Sequence, residues 1–570
     1  MTTIRRIYAY LLAFAGLAMF STAAAHLVQL LVDVVLQSPM AAVDPYVRDT
    51  ASLFAAAALV GLPVWLLHWL WIGRSVRANP EERASTLRHL YLTAVLVGAT
   101  FEMAGSARDA LLSACSWIVG LPTQDATLDA IVRPLPFTSI ALCVWLGHWR
   151  VTARDRARVG EPGGPARLRR WYLYGSAWLG LVLLLTGTSG VLESVWRMVT
   201  GAGGPAGPAV VQPAADALVG LGLWLAHWVV LPARLSEAEQ RTDDTSVLRS
   251  VYLFLTLALA IIGSLLGLSQ LLYYAVGRLI GVDHPGGVGG DLQQAAAGPA
   301  SIALVYAAAW AATRAYQRPV MLSEAAGAGL RPRQTSTMAH GTSLPGSVGE
   351  TARQAGVRRL YMYLVALVAL GVLASGVAGL LWTLGDVFFP ASAMTDGQDW
   401  REQLALYATL TVVGLPVWLL HWRATPADDA EAGSLARRLY VYLALIMAML
   451  ALVGSAAAVL YRLLGLALGA SFGVSVAADF VHALAVACVA AVLATYHWRV
   501  VRADSHRLQA RTAATVEHSE TALPAGLLLQ VHAADHAILD TAITSLRAAG
   551  VQVTIVHHPQ PAIPGESLGR

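Results

Sequence analysis

Arg437-Arg438-Leu439-Tyr440-Val441-Tyr442 opens a long apolar run, and a second apolar run after it ends in His497-Trp498-Arg499. The opening recurs upstream as Arg5-Arg6-Ile7-Tyr8-Ala9-Tyr10, Leu87-Arg88-His89-Leu90-Tyr91, Arg169-Arg170-Trp171-Tyr172-Leu173-Tyr174, Leu248-Arg249-Ser250-Val251-Tyr252 and Arg358-Arg359-Leu360-Tyr361-Met362-Tyr363. The corresponding closings are His68-Trp69, His148-Trp149-Arg150, His227-Trp228 and His421-Trp422-Arg423. Only the fourth unit departs, ending in Trp310 through Tyr316. The spacing is about 80 residues, with one longer step between the fourth and fifth openings. A fixed period of this kind marks a duplicated structural unit.

Composition names the environment of that unit. A net charge of +4 and a pI near 9.0 would point a soluble protein toward nucleic acid. Here charged residues are only 13% of the chain, against roughly 25% in soluble domains, while hydrophobic residues are 56% and mean hydropathy is +0.57. Runs such as Ile7 to Val35 and Ala51 to Trp71 are long enough to cross about 30 Å of hydrocarbon as helices. The expected partner is therefore the lipid bilayer, and no nucleic acid. Cys115, Cys143 and Cys488 lie scattered in apolar runs without paired spacing, so neither a disulfide framework nor a thiolate metal site is signalled. The first run superficially resembles a signal peptide, but it matches the other five openings in motif and length and is expected to stay as a helix.

Two apolar segments per unit give candidate spans at 6–33, 51–72, 88–118, 134–150, 170–197, 212–231, 248–278, 299–316, 359–387, 402–422, 438–466 and 477–499. The expected fold is an all-α polytopic membrane protein of about twelve transmembrane helices, arranged as six parallel two-helix repeats with a small C-terminal β-α-β cytoplasmic element. Repeat hairpins occupy 1–78, 79–160, 161–238, 239–318, 358–428 and 429–502, with a cytoplasmic linker at 319–357 and a linker plus α/β tail at 503–570. In that tail, Leu527 to Val531 and Val551 to Val556 have strand character, and Ala533 to Ala548 has helical periodicity.

The charges set the orientation. There is no lysine, so all 39 basic residues are arginine. Arg74, Arg77, Arg83 and Arg88 lie between units one and two, and Arg150, Arg154, Arg156, Arg158, Arg167, Arg169 and Arg170 between two and three. Loops inside units are acidic, with Asp44 and Asp49, Asp125 and Asp129, Asp283 and Asp291, and Asp396 and Asp399. The positive-inside rule then puts the linkers and both termini in the cytoplasm. Because each unit holds two spans, successive units enter with the same orientation, unlike the inverted repeats of many transporters.

At the cytoplasmic boundary this topology gathers Trp65, His68 and Trp69; Trp145, His148 and Trp149; Trp224, His227 and Trp228; Trp418, His421 and Trp422; and His497 with Trp498. These read as interfacial anchors, since an indole has an apolar body and a polar N–H. Ligation of haem or another metal by the histidines would need opposed side chains inside the membrane, so no cofactor and no metal site are expected.

Charge within the spans is more telling, because burying it is costly unless it is paired or functional. Glu102, 14 residues after Arg88, falls near the middle of its span and has no carboxylate counterpart at the same offset in other units. It is the first candidate for ion coupling or for holding a polar ligand, with Arg108, Asp109, Glu193 and Arg197 as further candidates near the outer ends. Arg278, Asp386 and Arg462 also lie toward that end, as do Asp33, Asp479 and His482, while His26 sits deeper and reads as a packing residue. Gly61-Leu62-Pro63 and Gly414-Leu415-Pro416 are each followed by Val-Trp-Leu-Leu-His-Trp. Pro63 and Pro416 are therefore hinge candidates. His532, Asp535, His536, His557 and His558 would form a metal cluster only if the tail strands met. No catalytic constellation is recognisable, so enzyme activity is not expected.

Through its Arg-Arg-Leu-Tyr-x-Tyr openings, fullest at 358–363 and 437–442, and the hydrophobic hairpins after them, the chain resembles the bacterial membrane family called domain of unknown function 5671 (DUF5671). The resemblance covers most of residues 1–500, not the central linker or the tail, and the fourth unit departs from it at the His-Trp ending. It implies a multi-pass protein of the bacterial cytoplasmic (inner) membrane and supplies no catalytic residue or substrate. Two functions follow as expectations. One is a membrane scaffold or sensory protein binding a partner, or a second copy, through residues 520–570. The other is a transporter or channel for an ion or small solute, with Glu102 in a polar path.

Overall fold

The computed structural model describes residues 3–37, 45–121, 127–161, 163–201, 206–287, 292–327, 352–388, 399–423, 429–468, 473–522 and 536–549. The first three units supply α1 (Thr3–Gln37), α2 (Pro45–Ala78), α3 (Thr86–Val119), the short α4 (Leu128–Val132), α5 (Leu135–Val159), α6 (Gly164–Val199) and α7 (Ala206–Trp224). A surface helix α8 (Glu237–Asp244) precedes α9 (Val247–Leu279) and α10 (Leu292–Gly327). After the linker come α11 (Ala352–Phe388), α12 (Asp399–Arg423), the single turn α13 (Asp429–Ala432), α14 (Leu435–Ala467), α15 (Val474–Ala522) and α16 (His536–Ala548). Twelve of these helices are long and apolar enough to cross a membrane. The chain is a multi-pass membrane protein. Helices satisfy their own backbone hydrogen bonds, which is why hydrocarbon selects them.

Two compact units are present, residues 1–505 and 506–570. Within the first, the two helices of each of the first five units pack together, as α1 with α2, α3 with α5, α6 with α7, α9 with α10 and α11 with α12. The leading helices α1, α3, α6, α9, α11 and α14 touch one another in succession. The first four leading helices also meet the second helix of the next unit, in the contacts α1 with α5, α3 with α7, α6 with α10 and α9 with α12. The last contact joins the fourth unit to the fifth, so one stacking rule continues across the 319–357 linker.

Several helices overrun their apolar bands. The His-Trp pair closes hydrophobicity but not the helix, since α5 runs on from Trp149 to Val159 and α2 from Trp69 to Ala78. Hydropathy marks the bilayer, whereas Arg, Ala and Glu continue a helix beyond it. Two leading helices, α9 and α14, start on a serine cap, with Ser246 Oγ accepting from Arg249 N and Ser434 Oγ from Arg437 N, each at 3.3 Å. At the other end of α3, Gly120 adopts φ 71°, a left-handed cap.

The tail expectation is met only in its helix. Among the described residues of 506–570 there are the end of α15 and α16, and no strand. The segments 527–531 and 551–556 lie outside the described residues, so the β-α-β element gains no support. The tail histidines other than His536 also fall outside them.

Pro63 and Pro416 each sit inside an unbroken helix. The glycine two residues before each proline explains why this motif is shared. A Cβ on Gly61 would meet Phe20 N at 2.8 Å, and one on Gly414 would meet Leu373 N at 2.8 Å. Both glycines let the second helix of a unit press against the backbone of the first. Gly414→Val is expected to lower stability by about 1–3 kcal/mol through overpacking. The thermal unfolding midpoint in detergent reads this, against Gly98→Val, which meets open space.

Candidate functional site

At the Arg-rich end of the bundle, the closing histidines are part of a repeated hydrogen-bond node. His68, His148, His227, His421 and His497 each place Nδ1 at 2.7–2.9 Å from the carbonyl four residues earlier. A carbonyl only accepts, so Nδ1 carries the proton and Nε2 is left as an acceptor. In three units it takes the hydroxyl of the first tyrosine of the opening motif: Tyr91 to His148 at 3.3 Å, Tyr172 to His227 at 2.9 Å and Tyr440 to His497 at 3.2 Å. In the third and sixth units that tyrosine oxygen also accepts an indole N–H from the preceding unit, and Tyr252 of the fourth unit, which has no closing histidine, does the same. Trp145 donates to Tyr172 at 2.6 Å, Trp224 to Tyr252 at 3.0 Å and Trp418 to Tyr440 at 2.9 Å. Each such tyrosine ties its own unit to the one before it.

His148, His227 and His497 are only 5%, 2% and 0% exposed, so they lie within the helix contacts, whereas Trp498 is half exposed. Both nitrogens of these three rings are engaged. Among the described residues no group of three or more His, Cys, Asp or Glu side chains is placed to hold a metal ion.

Around the node runs a collar of ion pairs that sequence reading missed. Arg88 Nε donates to Asp155 at 2.7 Å and Arg437 Nε to Asp504 at 2.7 Å, both pairs 67 residues apart in sequence. Arg6 pairs with Glu82 and Arg359 with Glu431, each at 2.7 Å. The Arg88 guanidinium lies 5.9 Å from the Trp69 ring centroid, and that of Arg437 lies 4.9 Å from Trp422. The buried cores match as well: Tyr10, Ala13, Leu17, Tyr91, Leu92 and Val95 in one correspond to Tyr363, Ala366, Leu370, Tyr440, Val441 and Ala444 in the other. Units one and two thus form a module that units five and six repeat. The signal was present in the equal Arg–Asp spacings, but a carboxylate in a polar linker looks unremarkable until its partner is known.

The third unit solves the same problem differently. Buried Arg169 reaches Glu161 at 2.6 Å and Asp243 at 2.5 Å, and Arg170 reaches Asp243 at 2.7 Å. Arg249 pairs with Asp244. A π-helical turn, Leu225–Val230, carries His227 and Trp228 here. Asp243 and Asp244 belong to α8, which is capped by a reciprocal box between Ser236 and Glu239. Partial burial pushes the Glu239 carboxyl up, but the Ser236 backbone N–H and hydroxyl, with the Arg156 and Arg169 charges, outweigh it and hold it below the ordinary carboxylate range.

The charges near the opposite end are mostly paired. Arg108 Nε donates to Asp216 at 2.5 Å, linking α3 to α7, while Asp109 is exposed. Glu193 and Arg197 form an i,i+4 pair at 2.6 Å on α6, beside Gly298 of α10. Asp33 meets Arg133, His482 meets Asp386, and Asp479 meets Arg462. Those groups are therefore spread over separate pairs rather than one relay. His26 is stacked on Phe54 at 4.0 Å and edge-on to Phe137 at 4.8 Å.

Glu102 is the exception. It lies at the middle of α3 on an exposed face, with no ion pair or hydrogen bond to its carboxylate among the described residues. Gly98 and Gly105 share that face, and a Cβ on either would meet nothing within 4 Å. Phe101 beside it is 59% exposed. In the duplicate module the positions of Glu102, Arg108 and Asp109 are occupied by Ala451, Ala457 and Ala458.

The model of the family described as domain of unknown function (DUF5671) matches residues 6–141, 125–222, 208–309 and 359–492. The chain belongs to the DUF5671 family. The first and last matches cover the two duplicate modules, each from the opening of one unit into the second helix of the next. No curated protein and no solved structure matches the chain.

Tyr440→Phe removes a hydroxyl that satisfies both a buried indole N–H and a buried imidazole nitrogen, and is expected to cost about 1–3 kcal/mol. Thermal melting of the purified protein reads this, with exposed Tyr442→Phe as a near-neutral control. For α8 the sign of the pH effect is fixed by the lowered Glu239 value. Its added stability is complete above the unfolded carboxylate pKa and fades as pH falls through the lowered folded value. Amide exchange across 237–244 should therefore quicken on acidification, and this acid dependence should shrink in Glu239→Gln.

Proposed function

We propose that this DUF5671 protein is an intramembrane scaffold that seats a partner helix, from a second protein or a second copy, against the outer face of α3. The observation that carries this reading is Glu102, a mid-span carboxylate turned outward and unpaired among the described residues, between two glycines whose small size serves no contact with those residues. A charge left facing hydrocarbon is costly, whereas a polar side chain or backbone of a partner helix would satisfy it. Small residues flanking it allow that helix to approach closely.

In this reading the twelve helices are six parallel two-helix repeats in a bacterial cytoplasmic membrane. The arginine-rich ends and both termini face the cytoplasm, following the positive-inside rule. The tail helix α16 offers a second contact: its apolar residues Leu539, Ile543 and Leu546 recur at helical spacing, and Leu546 is 45% exposed.

The test uses intact membranes and a chain with Cys115, Cys143 and Cys488 replaced by alanine. Single cysteines at Gly98 or Gly105 are expected to give one discrete adduct with a bifunctional thiol reagent, and Glu102→Leu in the same background to weaken it. Leu450→Cys, on an exposed face of α14, serves as the control. Adduct yields at 98 and 105 no greater than at 450 would overturn the scaffold reading. A cation or proton flux into proteoliposomes that disappears in Glu102→Gln would instead establish the transporter alternative.

A further inference from the structure

An open cavity of about 300 Å³ lies at the arginine-rich end of the first module, where α2, the turn at 80–84, α3 and α5 converge. Trp69 and the apolar residues of α2 wall one side, and Arg77, Arg83, Arg88, Arg154 and Arg158 contribute five guanidinium groups. Asp155 is the only carboxylate in the lining. It is engaged by Arg88 at 2.7 Å and lies 3.9 Å from Arg83, so its charge is already shared. Arg77, Arg154 and Arg158 are exposed and have no acidic partner among the described residues. The lining thus carries an excess of four positive charges around one concavity.

Topology alone does not require this arrangement. The positive-inside effect needs arginines near a span, not arginines from separate elements pointing at one cavity. The duplicate module is an internal control. It keeps the structural pair as Arg437–Asp504, yet places Ala432 at the position of Arg83 and Ala503 at that of Arg154. At the position of Arg77 its sequence has Pro426. Only Arg158 has an arginine equivalent, Arg507. The packing role is duplicated; the arginine excess is not.

We infer that this cavity is a binding site for a phosphoanion, held by Arg77, Arg154 and Arg158 above the fixed Arg88–Asp155 pair. Guanidinium forks match phosphate oxygens in pairs, which a lone ammonium does not. At the level of the helix ends, such a group would come from the headgroup of an anionic lipid or from a soluble phosphate compound. The apolar wall on α2 suits either a glycerol backbone or an organic phosphate.

Two arms separate those sources, using full-length protein. In the first, the protein is placed in nanodiscs of phosphatidylcholine with increasing phosphatidylglycerol, and thermal stabilisation is followed together with lipid retained in native mass spectra. In the second, inorganic phosphate and pyrophosphate are titrated calorimetrically into protein held in an uncharged detergent. At least one probe should bind saturably, and the variant Arg77→Gln/Arg154→Gln/Arg158→Gln should weaken it about tenfold or more. Arg423→Gln/Arg499→Gln/Arg502→Gln removes the same charge from exposed sites near the duplicate module and should leave binding within about threefold. Binding of phosphatidylglycerol alone assigns a lipid headgroup, and binding of phosphate or pyrophosphate assigns a soluble ligand. Should the triple variant fail to fold, single Arg154→Gln and Arg158→Gln variants make the same comparison. Failure of both probes to saturate on the unmodified protein, or equal weakening by the two triple variants, overturns the proposal.

Discussion

The packing of the arginine-rich end depends on where one proton sits in three closing histidines, His148, His227 and His497. Because Nδ1–H is committed to the carbonyl one turn back, Nε2 can only accept, and the nearest donor is a tyrosine from the opening of the same unit. That tyrosine can then accept from the tryptophan of the preceding unit. Each step leaves one polar group that only the next step satisfies, in surroundings where an unmet hydrogen bond is expensive. Register between leading and closing helices follows from this: the Tyr-to-His separation is 57 residues in both the second and the sixth units.

The ion-pair collar extends the same constraint to charge. Arg88, Arg169 and Arg437 start leading helices in positions only 5–6% exposed, where an unpaired guanidinium would not be tolerated. Two units meet the need with an aspartate two turns beyond the closing histidine. The third, whose closing helix turns through a π segment and ends, brings its acid from α8 instead. A linker that would otherwise be free of constraint is thereby given a structural task. The fourth unit has lost its His-Trp pair, and Tyr316 there accepts from Arg249 at 2.7 Å while packing on Trp228.

Much of this was legible in the chain, and the limits have physical causes. Hydropathy located all twelve spans because lipid imposes a length and a polarity on every crossing helix. It placed the ends poorly, as at α5 and α15, because helix continuation beyond the bilayer leaves no hydropathic mark. The closing histidines read as boundary residues because they adjoin arginines; the burial of His148, His227 and His497 goes with pairing to tyrosines 55 or 57 residues away, which no local window reveals. Glu102 stands out in the sequence as a mid-span acid without a counterpart in the other units, but its direction was not readable, since facing a bundle interior and facing outward differ only in which neighbours lie beside the helix. Arg108 was visible as a charge near the span end, while its partner Asp216 stood unnoticed in the opening turns of another helix.

The duplication inside the chain separates what the fold needs from what it merely carries. Units two and six share their tyrosine–histidine bond, their collar pair and their buried serine, Ser106 in one and Ser455 in the other. They differ where unit two has Glu102, Arg108, Asp109, Arg83 and Arg154 and unit six has alanine. Since the alanine version folds into the same contacts, these polar groups are not a condition of the architecture. Arg108 has found a use in tying α3 to Asp216 of the next unit, a connection the sixth unit has no following unit to make. Among the described residues Glu102 and the exposed Arg77, Arg154 and Arg158 have no such internal partner, and the mid-span carboxylate is costly where it stands. On the reading proposed above, recognition chemistry sits in the first module, in and beside its second unit, on a frame whose stability rests on groups that both modules share.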